Sequence, residues 1–131
     1  FEDFFRAIGL DALTTLPGSY VPVDNRQMLL LPDGAALYPL ICYEAVFPRL
    51  VEGQAAGASA LVNVTYDAWF GRTPGPFQHF AQARLRAVEA GKPLIRVGEN
   101  GVTAIVDPYG RIIDRLPFDR RGVLDGRVSL R

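Results

Sequence analysis

Leu37-Tyr38-Pro39-Leu40-Ile41-Cys42-Tyr43-Glu44 is an apolar run that stops at the chain's only cysteine, with an acidic residue two places on. A segment apolar to its last residue predicts a strand buried on both faces of a packed sheet. Its C-terminal lip then lies where α/β sheets open a crevice for ligands. The thiolate is the most nucleophilic common side chain, so a cysteine there is a candidate for covalent catalysis. Unpaired cysteine is also among the most buried residue types, and taken alone Cys42 fits an inert core thiol better. The residues around it decide between the two.

Upstream, Met28 to Leu31 predicts a short strand and Pro32-Asp33-Gly34 a turn, so that Ala36 to Cys42 is the second strand of a hairpin. Pro39 cannot donate to a ladder and is expected at a bulge or where pairing starts. Phe47 to Ala56 predicts a helix with Pro48 in its first turn and Gly57 closing it. Ala60-Leu61-Val62-Asn63-Val64 reads as a buried strand, and the strand–helix–strand spacing favours a right-handed parallel crossover. After a loop from Thr65 to Pro76, Phe77 to Ala90 predicts a helix with Phe80, Ala83, Leu85, Ala87 and Val88 apolar and Gly91 as its stop. Pro93 to Val97 is a further strand. Val102 to Val106 and Arg111 to Leu116 form a hairpin about Asp107-Pro108-Tyr109-Gly110, and Gly122 to Leu130 supplies a last strand. At the start, Phe1 to Leu10 predicts a short amphipathic helix, and Leu16-Pro17-Gly18-Ser19 a turn. The expected class is α/β, a layered sheet with helices on one face.

The 131 residues suit one domain with a core of useful size, and 49% hydrophobic against 21% charged residues is a globular balance. A formal net charge of zero gives no global field to recruit nucleic acid or an anionic surface. Of the 14 basic residues all but Lys92 are arginine. One cysteine excludes an internal disulfide and a Cys-x-x-Cys metal site, and no metal or cofactor is expected. No run of about 18 apolar residues offers a membrane span, and Phe1-Glu2-Asp3 does not open a signal peptide. A chain opening at Phe1 without methionine is expected to be part of something longer.

Three loops should meet at one sheet edge: Cys42 to Ala45, Asn63 to Gly71, and Gly98-Glu99-Asn100-Gly101. Together they hold a thiol, carboxylates, an aromatic wall and a tight turn, with Asn100-Gly101 suited to positive φ. That set suits a cleft that forms a thioester and shields it from water.

The same segments resemble the carbon–nitrogen hydrolase (nitrilase) superfamily and, within it, the apolipoprotein N-acyltransferases. The match is carried by Ile41-Cys42-Tyr43-Glu44, Asp67-Ala68-Trp69-Phe70-Gly71, Gly75-Pro76-Phe77-Gln78-His79-Phe80 and Ala83-Arg84-Leu85-Arg86-Ala87-Val88-Glu89. It continues through Gly91-Lys92-Pro93, Arg96, Asn100-Gly101-Val102-Thr103 and Pro108-Tyr109-Gly110. Thr65-Tyr66 stands where these acyltransferases usually have Ser-Asn, and Lys92 where they usually have Arg. The resemblance implies half of an αββα sandwich, so one apolar sheet face should be left bare or covered by a second copy. It also implies a two-step transfer: a cysteine takes an acyl chain from a phospholipid, then passes it to the N-terminal amine of a bacterial lipoprotein. Carried over by position, Cys42 is the nucleophile, the Tyr43 backbone N–H an oxyanion donor and Glu44 a carboxylate beside the thiol. An ion pair with an arginine is the alternative for Glu44. Asp67, Trp69 and Phe70 fall on the substrate pocket, where the aromatics either line the acyl entrance or close the core. His79 is a helix-start or supporting residue rather than the base, and Arg84 and Arg86 make structural ion pairs.

The family's Glu–Lys–Cys triad needs a glutamate and a lysine before the cysteine, the lysine preceding a Pro-Phe-Gly-Glu segment that leads into a stretch like Phe1-Glu2-Asp3. No lysine precedes Cys42, Lys92 matches a non-catalytic position, and Glu2 falls after that motif. Residues 1–131 are therefore expected to be the C-terminal part of the domain, without the family's membrane helices, and to be soluble and inactive alone. The parent is expected in the bacterial inner membrane with its catalytic domain on the periplasmic side. Three readings stay open: part of the membrane acyltransferase, part of a soluble nitrilase or amidase, or a non-enzymatic α/β domain.

Overall fold

The computed structural model describes residues 26–129, and the helix and turn expected within residues 1–19 lie outside that range. Six strands form one mixed sheet: β1 (Leu29–Leu30), β2 (Ala36–Ile41), β3 (Ala60–Tyr66), β4 (Leu94–Glu99), β5 (Ala104–Val106) and β6 (Ile112–Arg115). Their spatial order is their chain order. The β2–β3 and β3–β4 pairs are parallel and the other three antiparallel. The three central C-termini therefore open on one edge.

Helix α1 (Gly75–Ala90) starts two residues before the expected position, with Pro76 in its first turn, where a missing N–H costs nothing. Gly91 ends it at φ 60°, the left-handed conformation that glycine adopts freely. Its inward stripe is Pro76, His79, Phe80, Ala83, Arg86 and Ala87. Of the apolar residues on this helix, Leu85 and Val88 are each 48% exposed. The i, i+3, i+4, i+7 period holds, but two polar residues occupy it. Arg86 is accommodated because it donates to the Val46 carbonyl at 2.9 Å and to Glu89 at 2.7 Å. Arg84, expected in an ion pair, donates to the Gly110 carbonyl and makes no ion pair among the described residues.

The helix expected over Phe47 to Ala56 does not form. A 3₁₀ turn, Pro48–Leu50, is followed by loose turns through Gly57. Gly53 at φ 72° breaks any regular helix there, and Val51 and Ala55 are nonetheless buried against the sheet. Pro39 sits at neither a bulge nor a start: β2 pairs with β3 from Leu37↔Ala60 to Ile41↔Val64, straight through Pro39↔Val62. Pairing with β1 has already ended at Leu37, and the Pro39 carbonyl accepts from Arg26 at 2.7 Å. The absent N–H faces that open side. The tail from Gly122 to Ser129 forms no strand, and Gly126 lies over Ile105.

The core under α1 gathers Tyr38, Leu40, Leu61, Phe80, Ala83, Ala87, Leu94, Ala104 and Val106. On the opposite sheet face Ile41, Val64, Tyr66 and Val97 are about half exposed, between 42% and 53%. Such a row is a larger apolar patch than scattered surface residues make.

Candidate active site

Cys42 is half-buried and begins the 3₁₀ turn Cys42–Val46 at the end of β2. Its φ is 51°, a left-handed backbone that costs a non-glycine residue about 1–2 kcal/mol. Contacts on both sides hold it there. Asn63 Nδ2 donates to the carbonyls of Leu40 at 2.8 Å and Cys42 at 3.3 Å. Glu44 Oε2 accepts the Ile41 N–H at 2.7 Å.

Glu44 also receives both Arg26 guanidinium nitrogens, at 2.6 and 2.7 Å, so the arginine pair considered for it is present. The Arg26 hydrogen bonds, with help from the Ile41 N–H, outweigh partial burial and hold its pKa below the ordinary carboxylate value. A carboxylate with a depressed folded pKa stabilises the fold above its unfolded pKa and loses that contribution as pH falls through the folded value. Glu44→Gln is therefore expected to flatten the acid limb of a stability-versus-pH curve between those values. Parallel curves for the two proteins would show that Glu44 contributes nothing.

The turn after β3 lies beside the thiol. Thr65 Oγ1 is 3.6 Å from Cys42 Sγ and donates to Asp67 Oδ1 at 2.9 Å. Asp67, fully buried, also meets His79 Nδ1 at 2.9 Å through Oδ1 and Arg96 Nη2 at 2.8 Å through Oδ2. Arg96, equally buried, donates to Asn63 Oδ1 from its other terminal nitrogen. Burial opposes the charge on Asp67, but the His79 bond, the Arg96 charge and the Thr65 hydroxyl together leave its pKa lowered. Arg96 is pressed below its ordinary value by burial, against the Asp67 carboxylate, yet a guanidinium stays protonated in proteins.

The third loop closes on the same group. Asp67 N donates to the Glu99 carbonyl at 2.9 Å. The positive φ of that turn falls on Asn100, at 52°. Gly101 is required for a different reason: a Cβ there would overlap the Asp67 carboxylate. Gly101→Ala is expected to destabilise by about 1–3 kcal/mol by displacing that carboxylate, read as a lower denaturant midpoint at unchanged slope. A wild-type midpoint would show that the loop gives way freely.

The strand ends thus bring Cys42, Thr65 and Asp67 together. Asp67, expected in the substrate pocket, has both oxygens taken by protein groups. Trp69 is 79% exposed, edge-on to Tyr66 at 6.2 Å, and does not close the core. Phe70 lies 5.8 Å from the His79 ring, and the half-exposed Tyr43 ring 5.4 Å from it on another side. His79 is 3% exposed and supports Asp67. Asn63 and Arg96 were not among the sequence candidates as site residues. Their signal was a polar residue inside an otherwise apolar strand, and the two are direct register partners, Asn63↔Arg96.

The site is thus a cysteine in a left-handed turn at the edge of the parallel strands of a mixed α/β sheet. The chain belongs to the carbon–nitrogen hydrolase family, whose model matches residues 12–131. Within that family it is similar to proteins named apolipoprotein N-acyltransferase. The one from Agrobacterium fabrum is 50% identical over 129 residues, covering 98% of this chain and 24% of that protein. The one from Brucella melitensis is 53% identical over 125 residues, covering 95% and 24%. The chain thus spans about a quarter of the length of these relatives. Among solved structures, a carbon–nitrogen hydrolase from Helicobacter pylori superposes with a TM-score of 0.71 at 17% identity, over 85% of this chain and 46% of that one. A cysteine-to-serine mutant of a Nesterenkonia amidase from the nitrilase superfamily gives 0.58 at 26% identity, over 78% and 44%.

Proposed function

We propose that residues 1–131 are the C-terminal part of the catalytic domain of an apolipoprotein N-acyltransferase, with Cys42 as the residue that carries the acyl chain. The observation that carries this reading is identity of about one half, along nearly the whole chain, to relatives of that name. The held left-handed turn at Cys42 supports it, because strain that neighbours must enforce is typical of functional positions.

In this mechanism the Cys42 thiolate attacks a phospholipid ester carbonyl. The lysophospholipid leaves as an alcohol, taking a proton, and the acyl chain stays on sulfur. The N-terminal amine of a lipoprotein then attacks the thioester, forming the amide and releasing the thiol. The Tyr43 N–H serves the oxyanion in this reading. Glu44, anchored by Arg26 and bonded back to Ile41, fixes the turn. Trp69 and Phe70 offer apolar surface to the acyl chain. The base glutamate and the lysine come from upstream of residue 1, together with helices that hold the parent in the bacterial inner membrane, the catalytic domain on its periplasmic side. No helix among the described residues is long and apolar enough to cross a membrane. The exposed sheet face carrying Val64 and Val97 receives the other half of the domain, and in its absence a second copy.

Residues 1–131 alone, mixed with phospholipid and a lipoprotein amine acceptor, are expected to give no transfer above background, since base and cationic partner each contribute about a hundred- to ten-thousand-fold. Robust turnover would overturn the assignment of the missing groups. Adding the upstream half is expected to restore thioester formation on Cys42.

A further inference from the structure

Thr65 has one hydroxyl proton and two acceptors within reach: Asp67 Oδ1 at 2.9 Å and Cys42 Sγ at 3.6 Å. It is nearly buried, at 9% exposure, so water competes little for it. The demand from the two acceptors changes with the state of the thiol. A neutral thiol is a weak acceptor and a weak donor, whereas a thiolate is a full anion that needs donors. Asp67 Oδ1 can spare the proton, because His79 Nδ1 also serves that oxygen and Arg96 holds Oδ2.

We infer that Thr65 is a positioning residue whose hydroxyl turns from Asp67 to Cys42 Sγ when the nucleophile ionises, stabilising the thiolate at the moment of attack. The rotation moves no proton between residues; the thiol proton leaves to the base or, in its absence, to solvent. Behind the rotor, Asp67 after β3 is held by Arg96 on β4 and His79 on α1, and Glu44, in the turn that carries the thiol, pairs with Arg26. Thr65 reaches the sulfur directly, while Arg96 acts on it only as a nearby charge. The assignment deepens the reading of Cys42 as nucleophile and rests on it.

The test is the pH profile of Cys42 alkylation by iodoacetamide, followed by mass spectrometry in the protein carrying the complete domain. Thr65→Val keeps the shape and removes the hydroxyl; Thr65→Ser keeps the hydroxyl. Thr65→Val is expected to displace the profile upward by about one pH unit, slowing alkylation at neutral pH about tenfold. Thr65→Ser is expected to stay within about twofold of wild type. Should Thr65→Val fail to fold, Thr65→Ala against Thr65→Ser carries the comparison, with the same upward displacement expected. A wild-type profile in the variants lacking the hydroxyl overturns the inference, as does an equal displacement in Thr65→Ser. Failure of the nucleophile reading shows separately, as absence of an acyl adduct on wild-type Cys42 after incubation with phospholipid.

Discussion

Cys42→Ala, made in the protein carrying the complete domain, is expected to abolish the acyl-enzyme and lower transfer by a factor on the order of 10⁴ to 10⁶. Among the described residues no other thiol exists to take its place. The fold should survive, because alanine inherits the same positive φ and loses only the sulfur contact with Thr65. Cys42→Gly extends the test. Glycine adopts φ near 51° without the Cβ conflict, so this dead variant is expected to be about 1 kcal/mol more stable than Cys42→Ala. Stability gained where activity is lost is the signature of a strained functional position. Labelled acyl chain trapped on Cys42→Ala would sink the assignment, and equal melting of the two variants would show that the turn stores no strain.

Arg96→Met is expected to destabilise the domain by about 3–5 kcal/mol, the range for leaving one partner of a buried ion pair without the other. Arg96 and Asp67 are both fully buried, and Asn63 loses its donor as well. Because Asn63 in turn holds the Leu40 and Cys42 carbonyls, the loss should reach the turn that presents the thiol. The double variant Asp67→Leu with Arg96→Met is expected to cost much less than the two single changes added together, since no charge is then stranded. Denaturant midpoints of the four proteins supply the cycle. Additive losses would mean that the pair is not coupled.

The parts of the fold that were legible in the sequence are those where one local signal agreed with tertiary packing. Gly91 marked the end of α1, Pro32-Asp33-Gly34 the first turn, and the apolar run to Ile41 the strand that carries the thiol. Phe47 to Ala56 misled because Val51 and Ala55 have helical spacing and are buried, while Gly53 takes a conformation no helix allows. Periodicity could not rank the faces of α1 either. Leu85 and Val88 are apolar yet half exposed, while His79 and Arg86 are buried and bonded to groups 12 and 40 residues away. The thiol and its three loops were readable from strand order alone. What bridges them was not, since Asn63 and Arg96 acquire meaning only from a register that neighbouring strands create.

The coincidence of spatial and chain order in the sheet bears on how the protein is made. Because every strand pairs with its neighbour in the chain, the sheet is expected to form by adding one strand at a time to an existing edge. Arg96 and Gly101 follow the cysteine by more than 50 residues. Until they are made, Asp67 is expected to have only Thr65 and His79 as side-chain partners, and Asn63 Oδ1 to lack its donor. The bracing of the turn that carries the cysteine is thus expected to be complete only when β4 docks and Arg96 reaches Asn63 and Asp67.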